Sequence, residues 1–259
     1  MDSAIDMSPA AASPRPALGV AWAGRTLDLH PEGVVVDAAT ATAFVADMHL
    51  GKPASFRRLG VPVPDGGAVA DLERLSAVLR RTGVERLIVL GDFLHDAAAR
   101  SPETLAAIEA WRARHPELPV VLVRGNHDER AGDPPASLEI ACVTEPWDAG
   151  RIACRHHPPA TSATSATSAT SATPPTAATA AEPPTLCGHL HPVVVLRGRG
   201  GRGGRGSAGR ERCRCFHLMP RTLMLPAFGS FTGGMVVRPR AGDRVFAVGP
   251  GVVIEAATA

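Results

Sequence analysis

Five short stretches of the sequence combine the residue types that bind metal ions or move protons. They are "VADMH", with Asp47 and His49; "VLGDFLHD", with Asp92, His95 and Asp96; "VRGNHDE", with Asn126, His127 and Asp128; "RHHP", with His156 and His157; and "CGHLHP", with His189 and His191. Alternate residues of an extended chain point to one side, so Asp-x-His and His-x-His each aim two donor groups in a common direction. A mixture of carboxylate oxygen, imidazole nitrogen and one carboxamide suits manganese, iron or zinc better than magnesium or calcium alone. Two aspartates, one asparagine and four histidines are too many for one ion and suit two ions sharing a bridging carboxylate. Buried together without a cation, such groups would be costly, which argues against a purely structural role.

Each stretch follows a short apolar run, and the elements between them explain why. From 43 to 126 apolar runs alternate with amphipathic segments. "TAFVADMH", "RLIVLGD" and "PVVLVRGNH" read as buried strands ending in polar residues. Residues 68–82 form a helical pattern with Val69, Leu72, Leu75 and Leu79 on one face, Arg80 and Arg81 at its end and Gly83 just past it. Residues 101–114 form a second, with Ser101 as N-cap, Pro102 at the first helical position, and Leu105, Ile108 and Trp111 as the apolar face. This alternation predicts a mostly parallel sheet flanked by helices, whose ligands bind beyond the carboxyl ends of its strands. After residue 140 the runs "IACV", "RIACR", "VVVL", "TLMLP", "MVVRP", "RVFAVG" and "VVIE" predict a second, more antiparallel sheet. Residues 159–185 and 198–210 are low-complexity tracts rich in Ala/Thr/Ser/Pro and in Gly/Arg, expected as disordered inserts.

A chain of 259 residues, 45% hydrophobic, can build a sizeable core, and 19–255 is expected to be one domain. No apolar run approaches the length of a membrane span, and the first 18 residues lack a signal peptide's basic start and apolar run. They are expected to be a disordered leader on a cytoplasmic protein that does not engage membranes. Five cysteines, with no CxxC pair, indicate reduced thiols rather than a disulfide framework or a zinc ribbon. The net charge of +2 is local in origin: eight of the 27 basic residues lie between 197 and 221.

The ordered blocks D-x-H, G-D, G-N-H-[DE], strand-end H and G-H-x-H resemble the calcineurin-like metallophosphoesterases. "ADMHLGKPASFRRLGVPVP", "LGDFLHD", "RGNHDERAGDPP", "GHLHP" and "LPAFGSFTGG" are most similar to the bacterial ligase-associated DNA damage response endonucleases. The resemblance implies an α/β fold, a four-layer α/β/β/α metallophosphoesterase sandwich with two packed mixed sheets. It implies two divalent ions, manganese first with iron or zinc as alternatives. Asp47, His49 and His191 would hold one, Asn126, His156 and His189 the other, and Asp92 would bridge. It further implies DNA phosphodiester hydrolysis, with an activated water attacking phosphorus in line and His127 as general acid. The repair setting is shared with an ATP-dependent DNA ligase, a helicase and a nuclease.

Many members carry an aspartate where this chain has His95. Either Asp96 or Asp128 is then expected to orient His127, and His95 to contact substrate or support the site. Lys52, Arg57 and Arg58 are candidate phosphate contacts. "LPAFGSFTGG" either lines the site through Phe228 or Phe231 or forms a turn between core strands. A small-nucleotide phosphodiesterase or phosphatase and an inactive scaffold are the rival functions.

Overall fold

The computed structural model describes residues 17–160, 183–197 and 210–257. Most of the expected leader and of both expected inserts therefore lies outside the described residues. At their edges the expectations are corrected: Leu18 belongs to the first strand, Thr185 opens a strand on the centre's side of Pro184, and Arg210 opens another. Each is ordered by pairing across a sheet: Leu18 opposite Leu29, Thr185 opposite Thr222 and Arg210 opposite Arg197.

The first sheet has seven strands in sequential order. β1 (Leu18–Trp22), β2 (Arg25–Leu29), β3 (Val35–Asp37) and β4 (Thr42–Val45) run antiparallel, and β4, β5 (Arg86–Leu90), β6 (Val120–Val123) and β7 (Ile140–Val143) run parallel. Four helices accompany it: α1 (Lys52–Arg58), α2 (Gly67–Thr82), α3 (Pro102–Ala113) and α4 (Asn126–Ala131). "IACV" thus completes the first sheet rather than beginning the second. Its register along β6, from Ile140 opposite Val120 to Val143 opposite Val123, is set by the parallel ladder.

The second sheet contains β8 (Trp147–Asp148), β9 (Ala153–Cys154), β10 (Thr185–Cys187), β11 (Pro192–Arg197), β12 (Arg210–Leu218), β13 (Thr222–Met224), β14 (Met235–Val236), β15 (Arg244–Gly249) and β16 (Val252–Ala256). Its strand order is β14-β11-β12-β13-β10-β9-β8, with β15 and β16 attached through β12. The two ligand-bearing strands β9 and β10 run parallel, as do β10 and β13. Both sheets are mixed, as expected of the sandwich. Among the described residues the α-helices all precede Gly132 and belong to the first sheet's side.

Alternation along the strands separates two cores. In β5, Leu87 and Val89 face Leu72, Leu75, Val78, Leu79, Ile108 and Trp111 of the helices, while Ile88 and Leu90 face the second sheet's Leu186, Phe216, Leu223 and Phe246. Ser101 caps α3 by accepting the Thr104 N–H at 3.2 Å, and Gly83, at φ +62°, ends α2 by donating its N–H to the Leu79 carbonyl. The expected face of α2 is corrected at one position. Val69 is 50% exposed, and Val78 lies inside instead, because the buried stripe continues from Leu72 and Leu75 through Val78 and Leu79.

Leu75→Ala should therefore cost about 2–5 kcal/mol in denaturant unfolding, whereas Val69→Ala should stay within about 0.5 kcal/mol. Equal losses would mean that the helix presents the other face.

Candidate metal centre

Five loops, following β4, β5, β6, β9 and β10, bring the expected ligands to one end of the sandwich. Backbone hydrogen bonds lace the first two together: Asp47 N–H to the Gly91 carbonyl (3.1 Å), His49 N–H to that of Asp92 (2.8 Å) and Leu50 N–H to that of Phe93 (2.9 Å). Across the sheets, the Asp47 carboxylate accepts the His189 N–H at 3.1 and 3.0 Å. The segment after β13 passes from the second sheet to the first, with Phe228 N–H on the Ala46 carbonyl (2.8 Å) and Gly229 N–H on that of Asp47 (3.1 Å).

The side chains form two groups. In the first, His49 Nε2 lies 3.2 Å from His191 Nε2, and His191 Nε2 lies 3.4 Å from Asp47 Oδ1. In the second, His156 Nε2 lies 3.0 Å from both Asn126 Oδ1 and His189 Nδ1. Asp92 Oδ2 stands between them, 3.6 Å from His49 Nε2 and 3.5 Å from His156 Nε2. His156 Nδ1–H faces the Leu90 carbonyl at 3.1 Å and His191 Nδ1–H that of Gly233 at 3.2 Å. Each carbonyl fixes the tautomer and leaves Nε2 with a free lone pair aimed at the cluster. Lone pairs of Asp92, Asn126 and His156 thus converge with no proton between them, an arrangement that a divalent cation satisfies. The donor set fits two ions sharing Asp92.

The backbone is bent to achieve this. Asp47 (φ 54°), His49 (46°), Asp92 (54°), His189 (72°) and His191 (46°) are all left-handed, five of the nine non-glycine residues with positive φ among the described residues. Such conformations are uncommon outside glycine and concentrate at functional sites. Space is equally tight. At Gly91 (φ +78°) a Cβ would lie 2.2 Å from His156 Nδ1, and at Gly125 one would lie 2.4 Å from Asp92 Oδ1.

Burial first, then the neighbouring imidazoles and Lys52, hold His49 down at about 2. His95 and His189 are held at about 4, again by burial before the neighbouring imidazoles. Burial also opposes protonation of His191, but the hydrogen bond and charge of Asp47 outweigh it and raise this group. Burial raises the Asp92 carboxyl as well.

The residues expected to perform catalysis are arranged differently from expectation. His127 donates its backbone N–H to Asp92 Oδ1 at 2.9 Å, and its ring Nδ1 bonds to the His95 carbonyl. That carbonyl, not Asp96 or Asp128, orients the ring. Asp96 accepts the Ser55 hydroxyl (2.7 Å) and the Ala99 N–H (2.8 Å). Asp128 is buried, with its oxygens engaged by the N–H groups of Asp92, Phe93, Leu94 and Gly125 at 2.7, 2.9, 3.2 and 2.9 Å. It is a clamp between the β5 and β6 loops rather than a catalytic group. Burial pushes its carboxyl up to about 6 against the pull of those N–H groups. His95 stacks on His127 with ring centroids 4.7 Å apart, and its Nδ1 lies 3.2 Å from His49 Nδ1.

The basic candidates divide. Lys52 is half-buried and opens α1 with its backbone N–H on the His49 carbonyl at 3.1 Å; burial lowers its pKa while the charge of Asp92 opposes that. Arg58 is exposed and makes no hydrogen bond or ion pair among the described residues. Arg57 is corrected: it braces the loop beyond α1 through the Val63 and Pro64 carbonyls, Asp65 and Glu103, which leaves it no free fork for phosphate. His157 borders the second group, its ring centroid 4.4 Å from that of His189, with Glu145 holding its Nδ1 at 2.7 Å and taking the N–H groups of His156 and His157 at 2.7 and 2.9 Å. Glu145 has no motif around it that could have marked it. Phe228 is fully buried under the Arg74 guanidinium, 4.2 Å from the ring centroid, while Phe231 is exposed.

Residues 41–165 match the family model for the calcineurin-like phosphoesterases. Among solved structures, nuclease MPE of Pseudomonas putida is 38% identical, covering 93% of this chain and 100% of its own, with a TM-score of 0.71. Yfce, a phosphoesterase from E. coli, is 15% identical over 84% of this chain and 99% of its own, with a TM-score of 0.39. No curated protein matches the chain.

Gly91→Ala should fold, by circular dichroism, yet lose metal affinity by displacing His156. Gly83→Ala, at φ +62° with nothing within 4 Å of the added Cβ, should lose stability only. Intact metal binding in Gly91→Ala would contradict the assigned role of His156. Because the hydrogen bond and charge of Asp47 raise the pKa of His191, this candidate ligand takes up a proton as pH falls toward the ordinary imidazole range, and metal affinity should decline from near neutrality downward. Calorimetric titration with Mn2+ between pH 8 and about 5.5 checks this. His191→Gln should flatten the slope by about one proton, and an unchanged slope would be contrary.

Proposed function

Since the chain belongs to the calcineurin-like phosphoesterases and is a metal-dependent hydrolase, we propose that it cleaves phosphodiester bonds of DNA. The observation that carries this reading is the position of Asp92 Oδ2, 3.6 and 3.5 Å from one imidazole of each group. The likeness to a solved nuclease over nearly the whole chain and Lys52, three residues from His49 at the start of α1, support a polynucleotide substrate.

Asp47, His49 and His191 would hold one ion, Asn126, His156 and His189 the other, and Asp92 would be shared. Manganese is the proposed metal, with iron or zinc as alternatives. Bound there, the ions supply Lewis acidity that polarises the phosphoryl oxygens and makes a water nucleophilic at neutral pH.

The chain's own groups do the rest. The His127 N–H holds Asp92 Oδ1, so the shared carboxylate keeps its direction. The His95 carbonyl holds His127 Nδ1 and leaves Nε2 to face the leaving oxygen, to which it delivers a proton as general acid. Lys52 neutralises charge on the phosphate under attack, and Arg58 meets a neighbouring phosphate of the strand. The motifs shared with ligase-associated endonucleases support a cytoplasmic repair role alongside an ATP-dependent DNA ligase, a helicase and a nuclease.

Mn2+-loaded protein is expected to cut single-stranded or nicked DNA. Turnover confined to cyclic or linear small nucleotides would overturn the DNA reading in favour of a nucleotide phosphodiesterase. Asp92→Asn should weaken metal loading and abolish hydrolysis. His127→Ala should keep the metal and slow esters with poor leaving groups about 100-fold or more, with activated esters affected least. Equal slowing of both would argue against proton delivery by His127.

A further inference from the structure

Of the seven phenylalanines, Phe44, Phe93, Phe216, Phe228 and Phe246 are fully buried, whereas Phe56 is half-buried and Phe231 is 40% exposed. These two pack on each other, edge to face, with ring centroids 5.4 Å apart and planes at 88°. They stand at the edge of the metal centre. Phe231 shares a small pocket with Met48, His49, Leu50 and Asp71. Phe56 follows Lys52 by four residues on α1, so it lies on the same helix face about 6 Å further along the axis.

The loop carrying Phe231 is fastened on both sides. Asp71 Oδ2 accepts the Ser230 N–H at 3.0 Å and its hydroxyl at 3.3 Å, and the Thr232 hydroxyl bonds to the Gly229 carbonyl at 2.9 Å. Two residues beyond Phe231, the Gly233 carbonyl orients His191. An exposed aromatic on a mobile loop would be unremarkable; here the ring is buttressed by a second ring and by a loop tied to a candidate ligand.

We propose that Phe56 and Phe231 form a stacking platform for the base of the nucleotide flanking the scissile phosphate. This rests on the reading of DNA as substrate. An edge-to-face pair leaves one ring with both faces uncovered by its partner, as base stacking requires. The order along α1 suits one nucleotide: Lys52 at the phosphate under attack, and the aromatic pair one helical turn away at the adjoining base. Exposed Arg58, at the end of the same helix, adds attraction for the strand. Stacking reads no base edge, so the platform tolerates every base and favours the larger purines.

The test uses the Mn2+-loaded full chain and single-stranded oligonucleotides in which each nucleotide around the cut is replaced in turn by an abasic residue. For the wild type, removal of one flanking base should lower kcat/KM roughly tenfold, mainly through KM. Phe231→Ala should lose a similar factor on intact DNA and little more on the abasic strand. Phe231→Trp should retain activity on intact DNA, and Phe231→Leu should not. The platform is overturned if Phe231→Ala matches wild type on intact DNA, if it loses equally on intact and abasic strands, or if Leu serves as well as Trp. Absence of any DNA cleavage by the wild type would instead remove the DNA reading and the platform with it.

Discussion

The convergence of electron-rich donors governs this structure. Two carboxylates, a carboxamide oxygen and four imidazoles meet within a few ångströms. Burial keeps His49 and His189 neutral far below physiological pH, so they do not supply the positive charge that would balance Asp47 and Asp92. Lys52 stands near, but one ammonium group cannot occupy both positions between the ligands. Without cations only His191, whose proton affinity Asp47 raises, offsets part of the carboxylate charge, and the fold has to hold the remaining donors together.

Much else in the fold can be read as the means of holding them. Sheet packing sets the distance between the loops after β4 and β5 and those after β9 and β10, because Ile88 and Leu90 of one sheet meet Leu186 and Phe216 of the other. Asp128 joins the β5 and β6 loops through four backbone N–H groups, and Glu145 fixes the backbone beside His156. Left-handed backbone at Asp47, His49, Asp92, His189 and His191 turns the donors inward. Strain of this kind costs on the order of 1–3 kcal/mol per residue and persists only where the surroundings over-determine it. The glycines at 91 and 125 complete the arrangement, since any side chain there would occupy the space of His156 or Asp92.

The parallel strands and their polar ends were plain in the sequence because a fully buried strand such as "RLIVL" is apolar on both faces and stops where ligands begin. The candidate donors were equally visible, Asp47 with His49 and His189 with His191 through their two-residue spacing, Asp92, Asn126 and His156 through their place after apolar runs. Other features left no local signal. The three N-terminal strands β1 to β3 were not anticipated; Gly19, Thr26 and Asp28 interrupt their apolar runs, and antiparallel pairing is what orders them. "IACV" could not reveal which sheet it joins, since that depends on the long-range ladder with β6. The functions of Asp128, Arg57 and Glu145 depend on which backbone groups folding brings to them, and residue type alone suggested other roles for the first two. His95 occupies an aspartate's usual place, and its main-chain carbonyl supplies the hydrogen bond to His127.

The proposed sharing of Asp92 between two ions can be tested directly by electron paramagnetic resonance of protein loaded with two equivalents of Mn2+. Ions joined by a common carboxylate are close enough for their spins to couple, so the spectrum should be that of an exchange-coupled pair. A spectrum of isolated Mn2+ ions, or saturation at one ion per chain, would contradict a shared centre.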